Sequence, residues 1–294
     1  MHRFLRSIGF SAITTKKQLR ELITYTIQKA TEKSYTSGTE EDSMFAEFSF
    51  GFGERIGITV RGEYDENNNF TYDYYFPYLR GECITTKEDI SIERHAARES
   101  YAGVCDDIKV GVSLIFYVQN VIPYIRAKNA KLLPIRGTML SLSALAAGGT
   151  IMMPIIKSEK QKANVRKASA DRSVLLAAAR RGDEEAIESL TLEDMDTYTA
   201  ISRKIHTCDV YSIVDTYFMP YGVECDQYSV LGEIEEYSVT TNTITGEQVC
   251  LMTLNCNDFR FEVCVNSADL LGEPAVGRRF KGIIWLQGRI HFPE

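Results

Sequence analysis

The chain has 294 residues, of which 44% are hydrophobic and 25% are charged, and its formal net charge at pH 7 is -7. This composition excludes a chain that is disordered over most of its length, and the acidic excess excludes a surface built throughout to hold a polyanion. The seven cysteines have no zinc-binding spacing and the amino-terminal residues form no secretory signal, so we expect reduced thiols in a cytoplasmic protein.

The first predicted element is a helix. Thr14 or Thr15 can cap its amino end, and apolar residues from Leu19 to Ala30 recur at helical spacing. We expect this helix to end near residues 34–38 and to cover the apolar face of the sheet that follows.

The next segments predict an antiparallel meander. Apolar and polar residues alternate along three of them, residues 44–52, 56–64 and 70–78. The turn "DENNN" joins the second to the third. Glu47, Thr59 and Arg61 fall on the polar face, so the alternation predicts a sheet with one face in solvent. A further apolar run at 110–125 has a strand-like start and a helical finish that the pattern alone does not separate.

An uncharged segment, residues 138–156, raises the question of a membrane. Its length is close to the roughly 20 apolar residues that cross a bilayer. Gly148, Gly149 and Pro154 interrupt it, and basic residues flank both of its ends. Burial within the protein is therefore favoured over membrane association.

The segment that follows has the clearest helical signals in the chain. Gly182 predicts the end of one helix, Asp183 caps the next, and Thr191 predicts the start of a third. No second copy of this unit is present, so the pattern indicates a single helical hairpin or three-helix insert.

The carboxyl-terminal part is rich in strand signals. Residues 209–222 fit a helix or a strand, and their β-branched and aromatic content slightly favours a strand. Three strands, a short helical crossing and a final strand then follow, which is the order of an OB-like small barrel.

The final strand places cations and the only tryptophan of the chain on one face. Its sequence, "RRFKGIIWLQGRIHFPE", puts Arg279, Lys281, Trp285 and Arg289 at alternate positions. We interpret these four residues as a candidate interaction surface.

Two interpretations of this surface are open. Trp285 can pack against the helical region or the amino-terminal domain, or the four residues can bind single-stranded nucleic acid by stacking and phosphate contacts. Residues 229–294 contain five Lys and Arg against nine Asp and Glu. This acidity favours packing within the protein over nucleic-acid binding.

Three stretches carry a resemblance to a known group of proteins. They are "MHRFLRSIGF" at the start, "YGVECDQYSVLGEI" from residue 221 and "DLLGEPAVGRRFKGIIWLQG" from residue 269. With them the chain resembles, over its whole length, an uncharacterised family of bacterial proteins of unknown function. The resemblance implies a complete cytoplasmic bacterial protein, and it implies no activity, ligand or catalytic residue.

Candidate catalytic residues form no recognisable motif. His95 with Cys105 or Glu93 would supply a base and a nucleophile, but their spacing does not require them to meet, and we expect His95 to be exposed. The glycines of "GFGERIG", residues 51–57, precede a strand, whereas a dinucleotide loop precedes a helix. The four histidines form no ligand pair. We therefore name no catalytic, cofactor-binding or metal-binding residue and leave enzyme activity open, favouring none.

These observations predict an α+β protein of three parts. They are an amino-terminal helix plus antiparallel meander, an apolar segment with a central helical segment, and a carboxyl-terminal OB-like small β-barrel, at residues 1–130, 131–207 and 208–294. We expect a non-enzymatic binding or scaffold protein that contacts another protein or a second copy of itself. Single-stranded nucleic-acid binding through the barrel is the alternative.

Overall fold

The computed structural model of the protein describes residues 1–37, 44–87, 90–94, 101–106, 113–132, 137–155, 159–179, 181–223 and 226–292. Within these ranges the helices are α1 (Lys16–Lys29), α2 (Val121–Asn129), α3 (Glu159–Ala179), α4 (Glu184–Ile205) and α5 (Val210–Ile213), with 3₁₀ helices at Arg3–Ile8 and Ser267–Asp269. The strands are β1 (Glu32–Ser37), β2 (Met44–Gly51), β3 (Ile56–Tyr64), β4 (Phe70–Leu79), β5 (Ile90–Arg94), β6 (Tyr101–Asp106), β7 (Ser113–Val118), β8 (Met139–Met152), β9 (Tyr217–Pro220), β10 (Gln227–Thr241), β11 (Gln248–Cys256), β12 (Phe259–Asn266), β13 (Leu270–Leu271) and β14 (Arg279–His291).

Helix α1 begins where the sequence predicts. Thr15 Oγ1 accepts a hydrogen bond from the Gln18 N–H, and the Gln18 side-chain oxygen accepts one from the Thr15 N–H, which completes a capping box. The predicted carboxyl end near residues 34–38 is wrong, because the helix ends at Lys29 and β1 follows. The sequence of β1, "EKSYTS", has no apolar alternation that could reveal a strand.

Strands β1 to β4 form a four-stranded antiparallel sheet in chain order, which confirms the predicted meander. The Asp65 carboxylate accepts hydrogen bonds from the N–H groups of Asn67 and Asn69 and so closes the turn between β3 and β4. Helix α1 packs on β2 and β3, as expected.

Three residues of the predicted polar face of this sheet are not in solvent. Glu47, Thr59 and Arg61 are all buried, and Arg61 is 0% exposed. Arg61 Nη2 donates to the carbonyl oxygens of Val118 and Gln119, so the chain that follows β7 covers this face. The prediction of a solvated face is therefore wrong at Glu47, Thr59 and Arg61. Alternation shows which side chains share a face, and it does not show whether another layer lies on that face.

The remaining strands form a ten-stranded sheet, and five of them close into a ring. Strands β8, β12, β11, β10 and β14 are neighbours in that order, and β8 also pairs with β14. The pairing of β8 with β12 is parallel and the other pairings in the ring are antiparallel. The uncharged segment at 138–156 supplies β8, and its Leu142, Ala144 and Ala146 are fully buried.

Strands β7, β6 and β5 extend this sheet beyond β14. The apolar run at 110–125 divides into β7 and α2, which agrees with its strand-like start and helical finish. The short strands β5 and β6 were not predicted. The expected exposed position of His95 lies outside the described residues.

Two clusters of buried side chains lie on opposite sides of the ring strands. One cluster fills the ring and includes Phe261, Phe280 and Ile284. The other joins the outer side of the ring to the 3₁₀ helix at Arg3–Ile8, to α1 and to the meander, and includes Phe4 and Trp285. Strands β8, β11, β12 and β14 therefore contribute buried side chains to both clusters, whereas the end of β10 is exposed at Tyr237 and Val239.

Helices α3 and α4 form the predicted hairpin. Gly182 adopts a φ of 87° after the first helix, and Asp183 Oδ1 accepts a hydrogen bond from the Ala186 N–H at the start of the second. The predicted third helix is wrong, because α4 continues through Thr191, whose hydroxyl donates to the Ile187 carbonyl. No glycine or proline interrupts α4.

The ambiguous segment at 209–222 contains both kinds of element. Asp209 caps the short helix α5, and β9 follows at Tyr217–Pro220. The strand interpretation is thus right for the second half of the segment only. No helix in the described part of the chain is long and apolar enough to cross a membrane.

The mixed α+β class is confirmed, with one antiparallel sheet and one larger mixed sheet. Strands from all three predicted regions, at 90–118, 139–152 and 217–291, belong to the larger sheet. The division into three domains stays a prediction.

Candidate functional site

The outer face of β14 carries the candidate interaction surface. The strand lies between β10 and β8. Its even-numbered apolar residues, such as Phe280 and Leu286, fill the ring. On the other side stand Arg279, Lys281, Trp285, Gln287 and Arg289, as the alternation predicts.

Trp285 lies beneath the amino-terminal segment and is only 4% exposed. Its ring centroid is 4.6 Å from that of His2, 5.6 Å from that of Phe4 and 5.2 Å from that of Tyr117. The indole Nε1 donates to Asp226 Oδ2 at 2.7 Å. The indole therefore has no free face on which a base could stack.

His2 is half-buried among aromatic rings in this cluster. Burial lowers the pKa of His2 to about 4, and the neighbouring positive charges of the amino terminus and Arg3 act in the same direction. Its Nδ1 is buried without a hydrogen-bond partner in the described part of the chain. The neutral imidazole is therefore the form that fits this position.

Arg279 and Lys281 bind residues around α5. Arg279 donates to the carbonyl oxygens of Met153, Val214, Asp215 and Tyr211, and it is buried. The Lys281 ammonium bonds the hydroxyl of Tyr211 and lies 4.1 Å from the centroid of its ring. The hydrogen bond to this hydroxyl raises the pKa of Lys281. Both cations thus anchor the segment after α4.

Gln287 connects the ring to the meander. Its Nε2 donates to the Pro77 carbonyl at 2.8 Å, and its Oε1 accepts from Gln119 Nε2 at 2.8 Å. Gln119 Nε2 also lies within hydrogen-bond distance of the Leu79 carbonyl oxygen. This network of amides holds β4, β14 and the start of α2 together.

A buried ion pair lies beside this network. Arg61 Nε donates to Glu47 Oε1 at 2.5 Å, and Arg61 Nη1 donates to Tyr117 Oη at 2.7 Å. Burial raises the pKa of the Glu47 carboxyl, and the charge of Arg61 opposes this rise. Glu47 also lines a polar cavity.

The cavity has a volume of about 130 Å³ and lies between the meander, α2 and the end of β14. Arg289 reaches it from β14 and Arg80 from the end of β4, and Asn120 and Pro123 line it at the amino end of α2. Arg80 binds both carboxylate oxygens of Glu32, at 2.6 and 2.8 Å. Burial lowers the pKa of Arg289, and the charge of Arg80 lowers it further.

The four residues of the candidate surface therefore do not share one open face. Trp285 and Arg279 are buried, and Lys281 is bound to Tyr211. Arg289 is the member that lines a cavity. A role for these residues in binding another molecule stays a prediction.

The candidate catalytic residues are only partly described. Cys105 is buried on β6 opposite Ile90, whereas Glu93 is exposed on β5 opposite Ala102. Glu93 is three residues from Ile90, so the side chains of Glu93 and Cys105 point to opposite faces. His95 lies outside the described residues. No group of potential metal ligands is present within the described residues.

Sequence reasoning missed the cavity because its walls come from distant segments. Arg61 and Glu47 were assigned to a solvated face, and Arg80 was not singled out. The alternation of the meander places Glu47, Thr59 and Arg61 on one face. These three polar residues on one face were the signal in the sequence that could have indicated a polar site there.

No curated protein and no solved structure matches this sequence. Residues 5–288 match the model of a family described as "Domain of unknown function, E. rectale Gene description (DUF3881)". The match spans nearly the whole chain and confirms the resemblance to an uncharacterised family. This chain belongs to that family of proteins with a domain of unknown function.

Proposed function

We propose that this protein is a non-enzymatic binding protein that contacts a partner protein through the α3–α4 hairpin. The observation that carries the proposal is a row of exposed apolar side chains on α4. Leu192, Met195 and Tyr198 are 56%, 62% and 75% exposed. Large apolar side chains that are grouped on a surface are typical of interaction sites.

Helical geometry places this row on one side of α4. At about 100° per residue, Ile187 and the three residues of the row fall within about 140° of the helix circumference. The buried Ala186 and Leu190 lie outside this arc, so packing against the protein does not use it. A surface about 16 Å long is therefore open to a partner.

The charge of α4 indicates the chemistry of the partner. The helix has six acidic residues and two basic ones, and Glu184, Glu188 and Asp196 lie within or beside the apolar arc. An apolar groove bordered by Lys and Arg would match it, in the mode of a helix in a groove. A second copy of the same helix would meet like charges, so a different protein is the favoured partner.

We also propose that the ring of five strands is an OB-like barrel. Strands β10, β11, β12 and β14 occur in this order along the chain, with a short helical segment and the two-residue β13 between the last two, and β8 supplies a fifth strand. Five strands that close on themselves with this order support the proposal. The predicted region at 208–294 lacks β8, which precedes it in the chain. A cytoplasmic location remains part of the proposal.

Binding of single-stranded nucleic acid through the barrel has less support. Such barrels stack bases on aromatic side chains of their second and third strands. Leu251 and Cys264, on the outer face of β11 and β12, are buried under the amino-terminal cluster. We expect unchanged tryptophan emission when a mixed-sequence oligonucleotide is added at low salt. A saturable change would favour nucleic-acid binding.

The partner proposal is tested by comparing capture from a bacterial lysate between two variants of the tagged full-length protein. In the first variant Leu192, Met195 and Tyr198 are all replaced by Ser. The matched control replaces Val223, Leu271 and Val276, which are exposed apolar residues outside the hairpin, by Ser. Each variant removes three exposed apolar side chains.

We expect proteins that the unmodified chain and the control capture specifically, and that the α4 variant loses. Their binding should weaken with added salt, because the charges of α4 steer the partner. The proposal is wrong if the α4 variant captures the same proteins in the same amounts as the control.

A further inference from the structure

Arg80, Arg289, Glu32 and Glu47 line the cavity, and Arg61 binds Glu47 from outside the lining, so three guanidinium groups meet two carboxylates. Arg80 is paired with Glu32, and Arg61 is paired with Glu47. Arg289 forms no hydrogen bond or ion pair with any residue that the structure describes, although the charges of Glu32 and Glu47 act on it from a distance. Among the described residues, its guanidinium is therefore a fork of hydrogen-bond donors that has no acceptor.

A second donor lines the same cavity. Tyr78 is 7% exposed, and its hydroxyl forms no hydrogen bond with the described residues. The charges of Arg80, Glu32 and Arg289 all act on this phenol, which places it among the groups of the cavity. Burial raises the pKa of Tyr78, so the hydroxyl keeps its proton and can donate it to an acceptor.

The size of the cavity limits what it can hold. A volume of about 130 Å³ corresponds to the space of about four water molecules in the liquid. Sites for drug-sized ligands and cofactors measure about 300–1,000 Å³, so a nucleotide or coenzyme does not fit. A planar group of a few atoms fits in this volume.

We propose that this cavity binds a small monocarboxylate, with the Arg289 guanidinium and the Tyr78 hydroxyl as its donors. A carboxylate matches the fork of one guanidinium with two parallel hydrogen bonds. A single negative charge also balances the charge of Arg289, which no described residue pairs. Phosphate at neutral pH carries more negative charge and would face the carboxylates of Glu32 and Glu47 without a further cation.

The amino end of α2 favours the same ligand. Asn120 and Pro123 place this end of the helix at the wall of the cavity, and a helix amino terminus carries a partial positive charge. The ring of Pro123 also lines the cavity and supplies an apolar surface for a methyl or ethyl group. Acetate and propionate are therefore the probes that fit the chemistry of the site.

The test is calorimetric titration of the full-length protein at pH 7 with acetate, propionate, acetamide and inorganic phosphate. We expect saturable binding of acetate and propionate with a Kd on the order of 1 mM, since so few non-hydrogen atoms limit the affinity. Acetamide has the shape of acetate without its charge, and it should not bind. Phosphate should bind at least about tenfold more weakly than acetate.

Two substitutions test whether Arg289 and Tyr78 donate hydrogen bonds to the bound carboxylate. Arg289→Gln should raise the Kd for acetate by at least about tenfold, because it removes a charged pair of hydrogen bonds. Tyr78→Phe should raise it by about threefold to tenfold through the loss of one hydrogen bond. Arg278→Gln is the matched control, because the Arg278 side chain donates to the Glu273 carbonyl outside the cavity and its loss makes the same charge change.

The proposal is overturned if the unmodified protein binds neither carboxylate up to about 100 mM, where a site of this kind would be saturated. It is equally overturned if Arg289→Gln and Arg278→Gln bind acetate alike, or if phosphate binds as tightly as acetate. Circular dichroism checks that each variant is folded. Should Arg289→Gln fail to fold, the comparison of acetate with acetamide and the Tyr78→Phe variant still decide the matter.

Discussion

The ring of strands and the α3–α4 hairpin bury their apolar residues to very different extents. Four strands of the ring, β8, β11, β12 and β14, have side chains buried on both faces, by one cluster inside and by the amino-terminal segment outside. On α4, by contrast, residues 191–200 are all exposed. The difference indicates that the free energy of unfolding resides in the ring and its cover. The hairpin exposes apolar side chains that contribute little to the free energy of unfolding.

The largest expected effect is at the ion pair beneath the meander. Arg61→Ala should lower the free energy of unfolding by about 4–5 kcal/mol, because it leaves the Glu47 carboxyl buried without its partner. Urea denaturation measures the loss. Replacing the pair together, as Arg61→Met with Glu47→Leu, should recover most of it.

The control for this substitution is Arg203→Ala on the exposed surface of α4, which should change stability by no more than about 0.5 kcal/mol. If Arg61→Ala lowers the free energy of unfolding by less than about 1 kcal/mol, water reaches the polar face of the meander easily. The contrast between the covered ring and the exposed hairpin would then be lost.

Acid should weaken the cover of the ring through His2. Its pKa is lowered to about 4 in the folded protein, against an ordinary value of 6.5. Between these values the unfolded chain binds a proton that the folded protein does not. Stability is therefore complete above pH 6.5 and falls as the pH drops towards 4, by up to about 3 kcal/mol.

The measurement is the urea midpoint of the unmodified protein and of His2→Asn at several pH values. The carboxylates and His291 titrate in both proteins, so the difference between the two midpoints removes their contribution. The difference should grow in favour of the variant as the pH falls below 6.5. A difference that is constant from pH 7 to pH 4 would show that His2 is open to solvent.

A smaller effect is expected at the indole. Trp285→Phe keeps an aromatic ring under Phe4 and removes the hydrogen bond to Asp226, which should cost about 2 kcal/mol. Chemical denaturation followed by circular dichroism measures it, because the variant lacks tryptophan fluorescence. A cost within about 0.5 kcal/mol would place the indole at the surface and restore the interaction surface as predicted from the sequence.

The smallest effect is expected on the hairpin. Replacing Leu192, Met195 and Tyr198 by Ser should change the free energy of unfolding by no more than about 0.5 kcal/mol per residue. Amide hydrogen exchange sharpens the same comparison, since α4 should exchange faster than β8, β11 and β14. A loss of more than about 3 kcal/mol in the triple variant would show that the row is packed within the protein.

Local signals in the sequence predicted local structure well. The capping box at Thr15, the turn at Asp65 and the junction at Gly182 each appear where they were expected. The same holds for alternation, which assigned the inner and outer faces of β14. These features depend on neighbours a few residues apart, so a single sequence contains them.

Long-range pairings were the part that the sequence did not reveal. Strand β8 pairs with β12 and β14, and Arg289 meets Arg80 and Glu32 from the other end of the chain. Alternation cannot say which distant strand lies next to which. For the same reason, the sequence could not predict the cavity or the burial of Arg61.

The position of β8 in the chain has a consequence for biosynthesis. This strand leaves the ribosome before any of its four companions in the ring, and its last companion, β14, ends only at His291. Until β12 is made, this uncharged strand lacks all of its ring partners, and one of its edges stays unpaired until β14 is made. Unpaired apolar strands favour aggregation and attract chaperones. Nascent chains that stop before residue 279 should therefore be insoluble or chaperone-bound, and closure of the ring should be a late, slow step of folding.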